Sequence, residues 1–122
     1  MLLKLLPVAA LLASVTSLKI KVANTMGKDI TVEAKCTRNG NELGSGNLKD
    51  GEDIHFSFLP DPNCGNGVDC SVSASNGKKA DFTAYKGCGD SPSEDIGYFL
   101  RGDAIYKGHF DGSGIENFKG YN

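Results

Sequence analysis

Residues 29–37 read DITVEAKCT, and this stretch decides the fold class. Ile30, Val32, Ala34 and Cys36 fall on one side of an extended chain, Thr31, Glu33 and Lys35 on the other. A period of two means a strand with one buried face, because successive side chains of an extended chain point to opposite sides. The same alternation recurs outward from it. Residues 18–23 set Leu18, Ile20 and Val22 against Lys19 and Lys21, and residues 53–59 set Ile54, Phe56 and Phe58 inward. Residues 69–75 group Cys70, Val72 and Ala74, and residues 80–85 carry Phe82 and Ala84. Residues 97–101 and 104–110 complete the set, and 41–48 reads as a weaker, short edge strand. Helical period is nearly absent after residue 18.

The connections agree. Asn39-Gly40 and Asn76-Gly77 are hairpin signals, because both residue types tolerate positive φ. Pro60-Asp61-Pro62-Asn63 reads as a loop, since proline removes ladder donors, and 87–94 is another, with Ser91-Pro92 inside it. The chain has 122 residues and 16 glycines without a fixed period, which suits one small domain with many turns. The expected fold is all-β: a small antiparallel β-sandwich of about 6–8 short strands, stapled by disulfides. It is expected over 18–110, with 111–122 as a Gly-rich tail on which Phe118 and Tyr121 could dock.

Residues 1–17, MLLKLLPVAALLASVTS, have the build of a secretory signal peptide. Lys4 supplies the charged start, Leu5 to Ala13 the apolar run, and Val15 and Ser17 the small positions before a cut. The run is too short for a membrane span of about 20 residues, so no membrane insertion is expected. Cleavage would leave 105 residues in which 12 basic side chains face 15 acidic ones. That balance argues against a nucleic-acid partner, which calls for a basic surface. No Asn-x-Ser/Thr sequon occurs. The expected localisation is secreted and extracellular, and the expected state a monomer.

An oxidising destination turns the four cysteines into expected staples. Cys36–Cys88 with Cys64–Cys70 is the favoured pairing: the second closes a short turn and the first ties two strands. Cys36–Cys70 with Cys64–Cys88 stands close behind, because Cys36 and Cys70 both point inward. Close-spaced ligand pairs for zinc are missing, so neither metal nor cofactor is expected.

Two stretches resemble the plant self-incompatibility S1 family. From Ile20 to Phe58, KVAN, ITVEAKCT and NELGSGNLKDGEDIHFSF place Asn24, Cys36, Leu43, Gly44, Leu48, Gly51, Phe56 and Phe58 on the family pattern. Further on, DCSVS, DFTAYKG and YFLRGDAIY place Cys70, Phe82, Tyr85, Leu100, Asp103, Ile105 and Tyr106. Tyr98 stands where the family has Trp, Ala104 where it has Gly and Ile96 where it usually has Cys; Cys64 has no counterpart. The resemblance implies a small secreted sandwich without catalytic activity. Family members act as extracellular ligands, the best known controlling pollen rejection through a cell-surface receptor. Similar proteins of plant-associated microbes could serve as effectors.

Loops at the ends of sheets usually carry binding, so 38–48, 60–69 and 87–95 are the candidate contact segments. Arg38, Asn41, Asp61, Asn66, Asp90 and Glu94 are the candidate contacts, by loop position. The expected partner is a protein receptor or host target. The alternative is a small secreted ribonuclease or hydrolase using His55 and His109 as general acid and base, with Arg101 on the phosphate. Arg101-Gly102-Asp103 also spells an integrin-binding tripeptide, on an expected turn.

Overall fold

The computed structural model describes residues 17–60, 65–87 and 94–122. Nine strands lie among them: β1 Leu18–Asn24, β2 Val32–Arg38, β3 Asn41–Leu48, β4 Asp53–Phe58, β5 Val68–Ala74, β6 Lys79–Tyr85, β7 Ile96–Leu100, β8 Ile105–His109 and β9 Glu116–Lys119. They form a five-stranded sheet, β4-β1-β7-β8-β9, and a four-stranded sheet, β3-β2-β5-β6. The all-β expectation holds, and the strand count exceeds it by one. The stretch 111–122, set apart as a tail, supplies that ninth strand, an edge strand of the five-stranded sheet.

Alternation decides which face each strand buries. Along β5 the pattern is strict: Val68, Cys70, Val72 and Ala74 are buried and the residues between them exposed. Strands β2 and β6 follow it, and both sheets turn their apolar faces to one core. Tyr98 is fully buried in that core. Its ring lies 4.9 Å from that of Phe82 and 5.3 Å from that of Phe118, and its hydroxyl donates to Ala84 O at 2.6 Å. Phe118, on β9, and Tyr121 pack against this core, the docking expected of them.

Three details depart from expectation. The sandwich is not wholly antiparallel: β1 pairs with β7 in parallel, Ile20 beside Ile96 and Val22 beside Tyr98. Strand β2 begins at Val32, because Asp29 takes a left-handed conformation (φ 69°) and ends extension there. At the β5–β6 hairpin the left-handed residue is Gly77 alone (φ 91°), whose N–H donates to Ala74 O at 3.0 Å. Ser75 and Asn76 are thus the central turn residues. The β2–β3 hairpin follows the simpler rule, with Asn39 at φ 53° and Gly40 at φ 77°.

The favoured disulfide pairing is overturned. Cys36 bonds to Cys70 with S–S 2.02 Å, so neither residue is left for Cys88 or Cys64. Cys36 and Cys70 are direct register partners on β2 and β5, inside one sheet. Directly opposite residues on antiparallel strands bring their β-carbons within about 4.5–5.5 Å, close enough to bridge. Cys64 and Cys88 lie outside the described residues.

One polar side chain sits in the core. Asn24, at the end of β1, is fully buried. Its Nδ2 donates to Ile30 O at 2.8 Å and Leu48 O at 3.0 Å, and its Oδ1 accepts from Met26 N at 3.0 Å. Its own backbone pairs with the β3–β4 turn, through Glu52 O and Gly51 N. The side chain thereby satisfies groups of the β1–β2 connection and of β3, and the backbone those of the β3–β4 turn.

Two measurements check this account. Asn24→Ala strands two carbonyls and an amide, and urea unfolding is expected to show a loss of about 2–4 kcal/mol. Non-reducing peptide mapping is expected to recover a Cys36–Cys70 peptide, and Cys36→Ala/Cys70→Ala to lower stability by about 3–4 kcal/mol for a loop of this length. A recovered Cys36–Cys88 peptide would contradict the register.

Candidate interaction surface

At one end of the sandwich β2, β4, β6 and β8 finish and β1, β5 and β7 begin. The described flanks of the candidate contact segments, Arg38 to Asn41, Pro60, Gly65 to Asp69, Gly87 and Glu94 to Asp95, lie at or next to these strand ends, but 38–48 is no loop and runs along β3 to the opposite end. Asn39 and Gly40 alone connect β2 to β3, and exposed Asn41 is already strand, in register with Arg38.

Arg38 is half-buried and reaches across to the β4–β5 connection. Its Nε donates to Asn66 O at 2.9 Å and its Nη1 to Leu59 O at 2.7 Å, while the guanidinium lies 5.1 Å over the Phe58 ring. A planar fork with several fixed donors suits this triple contact, which an ammonium could not copy. One side chain on the four-stranded sheet thus grips both flanks of the β4–β5 connection. Asn66 holds a left-handed conformation (φ 51°), one that asparagine tolerates.

Leu59 carries the other consequence of this grip. Its carbonyl is held by Arg38 and its side chain is 56% exposed, the one large apolar side chain so exposed among the described residues. Glu94, also exposed, leads into β7, with its carboxylate 3.8 Å from His109 Nδ1. Such exposed pairs contribute little to stability. The structure therefore brings Arg38, Asn41 and Asn66 together and puts Glu94 beside β8. Asp61 and Asp90 lie outside the described residues.

The two histidines do not share a centre. His55 pairs with Lys21 across β4–β1, and Lys21 with Gly97 on β7, all on the outer face. His109 pairs with Ile96, on the opposite face of the same sheet. His55 instead contacts Asp53, with Nδ1 2.9 Å from Oδ1. Acid–base catalysis by a pair needs both groups within reach of one substrate, and this register separates them. Among the described residues no three His, Cys, Asp or Glu side chains approach closely enough to hold a metal.

The tripeptide 101–103 is built into the opposite end. The Arg101 guanidinium stacks 4.7 Å over Tyr106, and Asp103 accepts the Tyr106 hydroxyl at 2.6 Å. That hydrogen bond lowers the Asp103 carboxyl below the usual range and raises the Tyr106 phenol above its own. Tyr121 donates to Arg101 O at 2.6 Å, and its phenol is pushed up to about 12, chiefly by burial. Both charged side chains of the tripeptide serve the turn.

Sequence reading missed the roles of Leu59 and Arg38. A strand-terminal arginine before Asn-Gly gives no sign of where its fork goes. The outer face of the five-stranded sheet was also passed over, because Lys19 and Lys21 read as solvated.

The fold and this surface define a class: a small two-sheet domain whose distinctive side chains sit at one end and on its faces. The model of the plant self-incompatibility protein S1 family matches residues 19–118, and the chain belongs to that family. A solved structure of SPH (self-incompatibility protein homologue) proteins, described as a widespread family of small, highly stable, secreted proteins from plants, has the same fold. Its TM-score is 0.71 at 18% identity, covering 90% of this chain and 98% of that one. Among curated proteins, no sequence matches the chain.

Arg38→Ala is expected to cost about 0.5–1.5 kcal/mol, because two solvent-accessible carbonyls lose their donor. Asn41→Ala, exposed and on an edge, is expected to stay within about 0.5 kcal/mol. Thermal unfolding of the two variants side by side checks the division of roles.

Proposed function

We propose that the protein is a secreted, non-enzymatic ligand that binds a protein at a cell surface or in a host through the end of the sandwich around Leu59. Secretion is supported by the apolar, Lys4-led stretch at 1–17 and by the description of the SPH structures as secreted proteins. Family membership over residues 19–118 supports an extracellular, non-enzymatic role. The observation that carries the choice of surface is Leu59, an exposed apolar side chain on a backbone fixed by Arg38. Fixing the backbone before binding lowers the ordering cost of association, and an apolar anchor ringed by polar groups is the usual centre of a contact.

The test is binding of labelled, oxidised protein to intact cells, followed by crosslinking. Leu59→Ser and Glu94→Lys are expected to weaken saturable binding about tenfold or more while leaving the thermal midpoint within a few degrees. Ser71→Asn, on the outer face of the four-stranded sheet, is expected to bind normally. Binding that survives changes at 59 and 94 but fails on changes elsewhere removes the assignment.

A further inference from the structure

We infer that the outer face of the five-stranded sheet carries a second binding site, independent of the loop end, for a linear carboxylate-bearing polysaccharide. The site is a shallow pocket of about 480 Å³ whose lining includes Lys19, Lys21, Asp53, His55, Ser57 and Phe110. Register builds it as a grid: Lys19 stands opposite Ser57 and Lys21 opposite His55 on adjacent strands. Gly97 follows next across the sheet, paired with Gly108. Neither glycine presents a side chain, and neighbouring groups, the Phe99 ring over Gly97 and Ile115 over Gly108, close in above them beside Lys21. A Cβ on Gly97 would meet the Phe99 ring at 2.7 Å and His109 O at 2.6 Å.

The ammonium of Lys21 is held without being neutralised. It lies 4.6 Å from the centre of the Phe110 ring and 5.8 Å from that of Phe99. His55 braces Phe110 edge-on, with ring centres 6.4 Å apart. The carboxylates nearby are already engaged: Asp53 holds His55 at 2.9 Å, and Asp95 accepts the backbone N–H of Lys19 at 2.9 Å. Among the described residues, the Lys19 and Lys21 ammoniums and the Ser57 hydroxyl have no hydrogen-bond or ion-pair partner. The face thus offers two cations, a hydroxyl and a half-buried aromatic ring, with the Asp53 and Asp95 carboxylates held by His55 and by the Lys19 backbone rather than by the two ammoniums.

This chemistry selects the ligand. Ammoniums attract carboxylates, Ser57 can bond sugar hydroxyls, and the exposed part of Phe110 suits the apolar face of a sugar ring. An extended peptide would have to add at β4, the edge of this sheet, because β1, which carries both lysines, is hydrogen-bonded on both sides; polyglutamate in the titration separates the two ligands. A lone phosphate fits less well, because neither an arginine fork nor a nest of backbone N–H groups lines the pocket.

The test is calorimetric titration of the oxidised protein with polygalacturonate, beside a neutral glucan and polyglutamate, at low and at physiological salt. Saturable binding to polygalacturonate alone is expected, weakening with salt. Lys19→Gln/Lys21→Gln is expected to weaken it about tenfold or more, and Phe110→Ala about threefold or more. Lys35→Gln/Lys79→Gln removes the same charge from the other sheet, where no aromatic ring lines the groove; its affinity is expected to stay within about twofold. Near-UV circular dichroism confirms folding, and the lysine pair decides the matter should Phe110→Ala unfold. Absence of binding, equal loss in both lysine pairs, or equal affinity for polyglutamate would each overturn the site.

Discussion

The buried amide of Asn24 is the constraint on which the rest of the sandwich hangs. A fully buried polar group is tolerated only when its hydrogen bonds are made. Here they are made to Ile30 and Leu48 carbonyls and to the Met26 amide. Those partners lie on the β1–β2 connection and on β3, which runs in the other sheet. The strand that leaves the first sheet is thereby fixed relative to the strand that enters the second. Where both sheets are apolar and could slide, one directional group sets their offset.

Elsewhere the geometry is held by different physics. The Cys36–Cys70 bond sits at one rung of the β2–β5 ladder and forbids a slip of even one residue. A one-residue slip of β2 against β5 would turn Val32 and Ala34 outward together. At the far end Arg38 performs with a cation what Asn24 performs with an amide, joining backbone carbonyls from segments that flank opposite sheets. One end is closed from within by a neutral group and the other from its margin by a charged one. The margin is where a partner can act without disturbing the core.

Much of this was legible in the residues. Strict alternation gave β2, β4 and β5, and Asn39-Gly40 gave their first hairpin, because those signals are local. Strand β9 was not legible. Glu116–Lys119 is short and mostly exposed, and its sheet membership depends on Phe118 reaching Phe82 and Tyr98. The disulfide was only half legible: inward facing was visible for Cys36 and Cys70, but adjacency of β2 and β5 is topology. The loop contacts were the least legible. Arg38 and Glu94 look alike by position, and only the fold shows that one is bonded to the backbone of the β4–β5 connection and the other lies beside His109.

The parallel pairing of β1 with β7 has a consequence in time. Ile20 finds Ile96, and Asn24 finds Leu100, only after the intervening strands have been made. The first strand of the domain is central in its sheet and waits for nearly the last. Antiparallel β4 can cover one of its edges early; the other stays unpaired until residues 96–100 have been made. Non-local pairing of this kind folds slowly. Until β7 arrives, β1 has to be kept from other exposed strands.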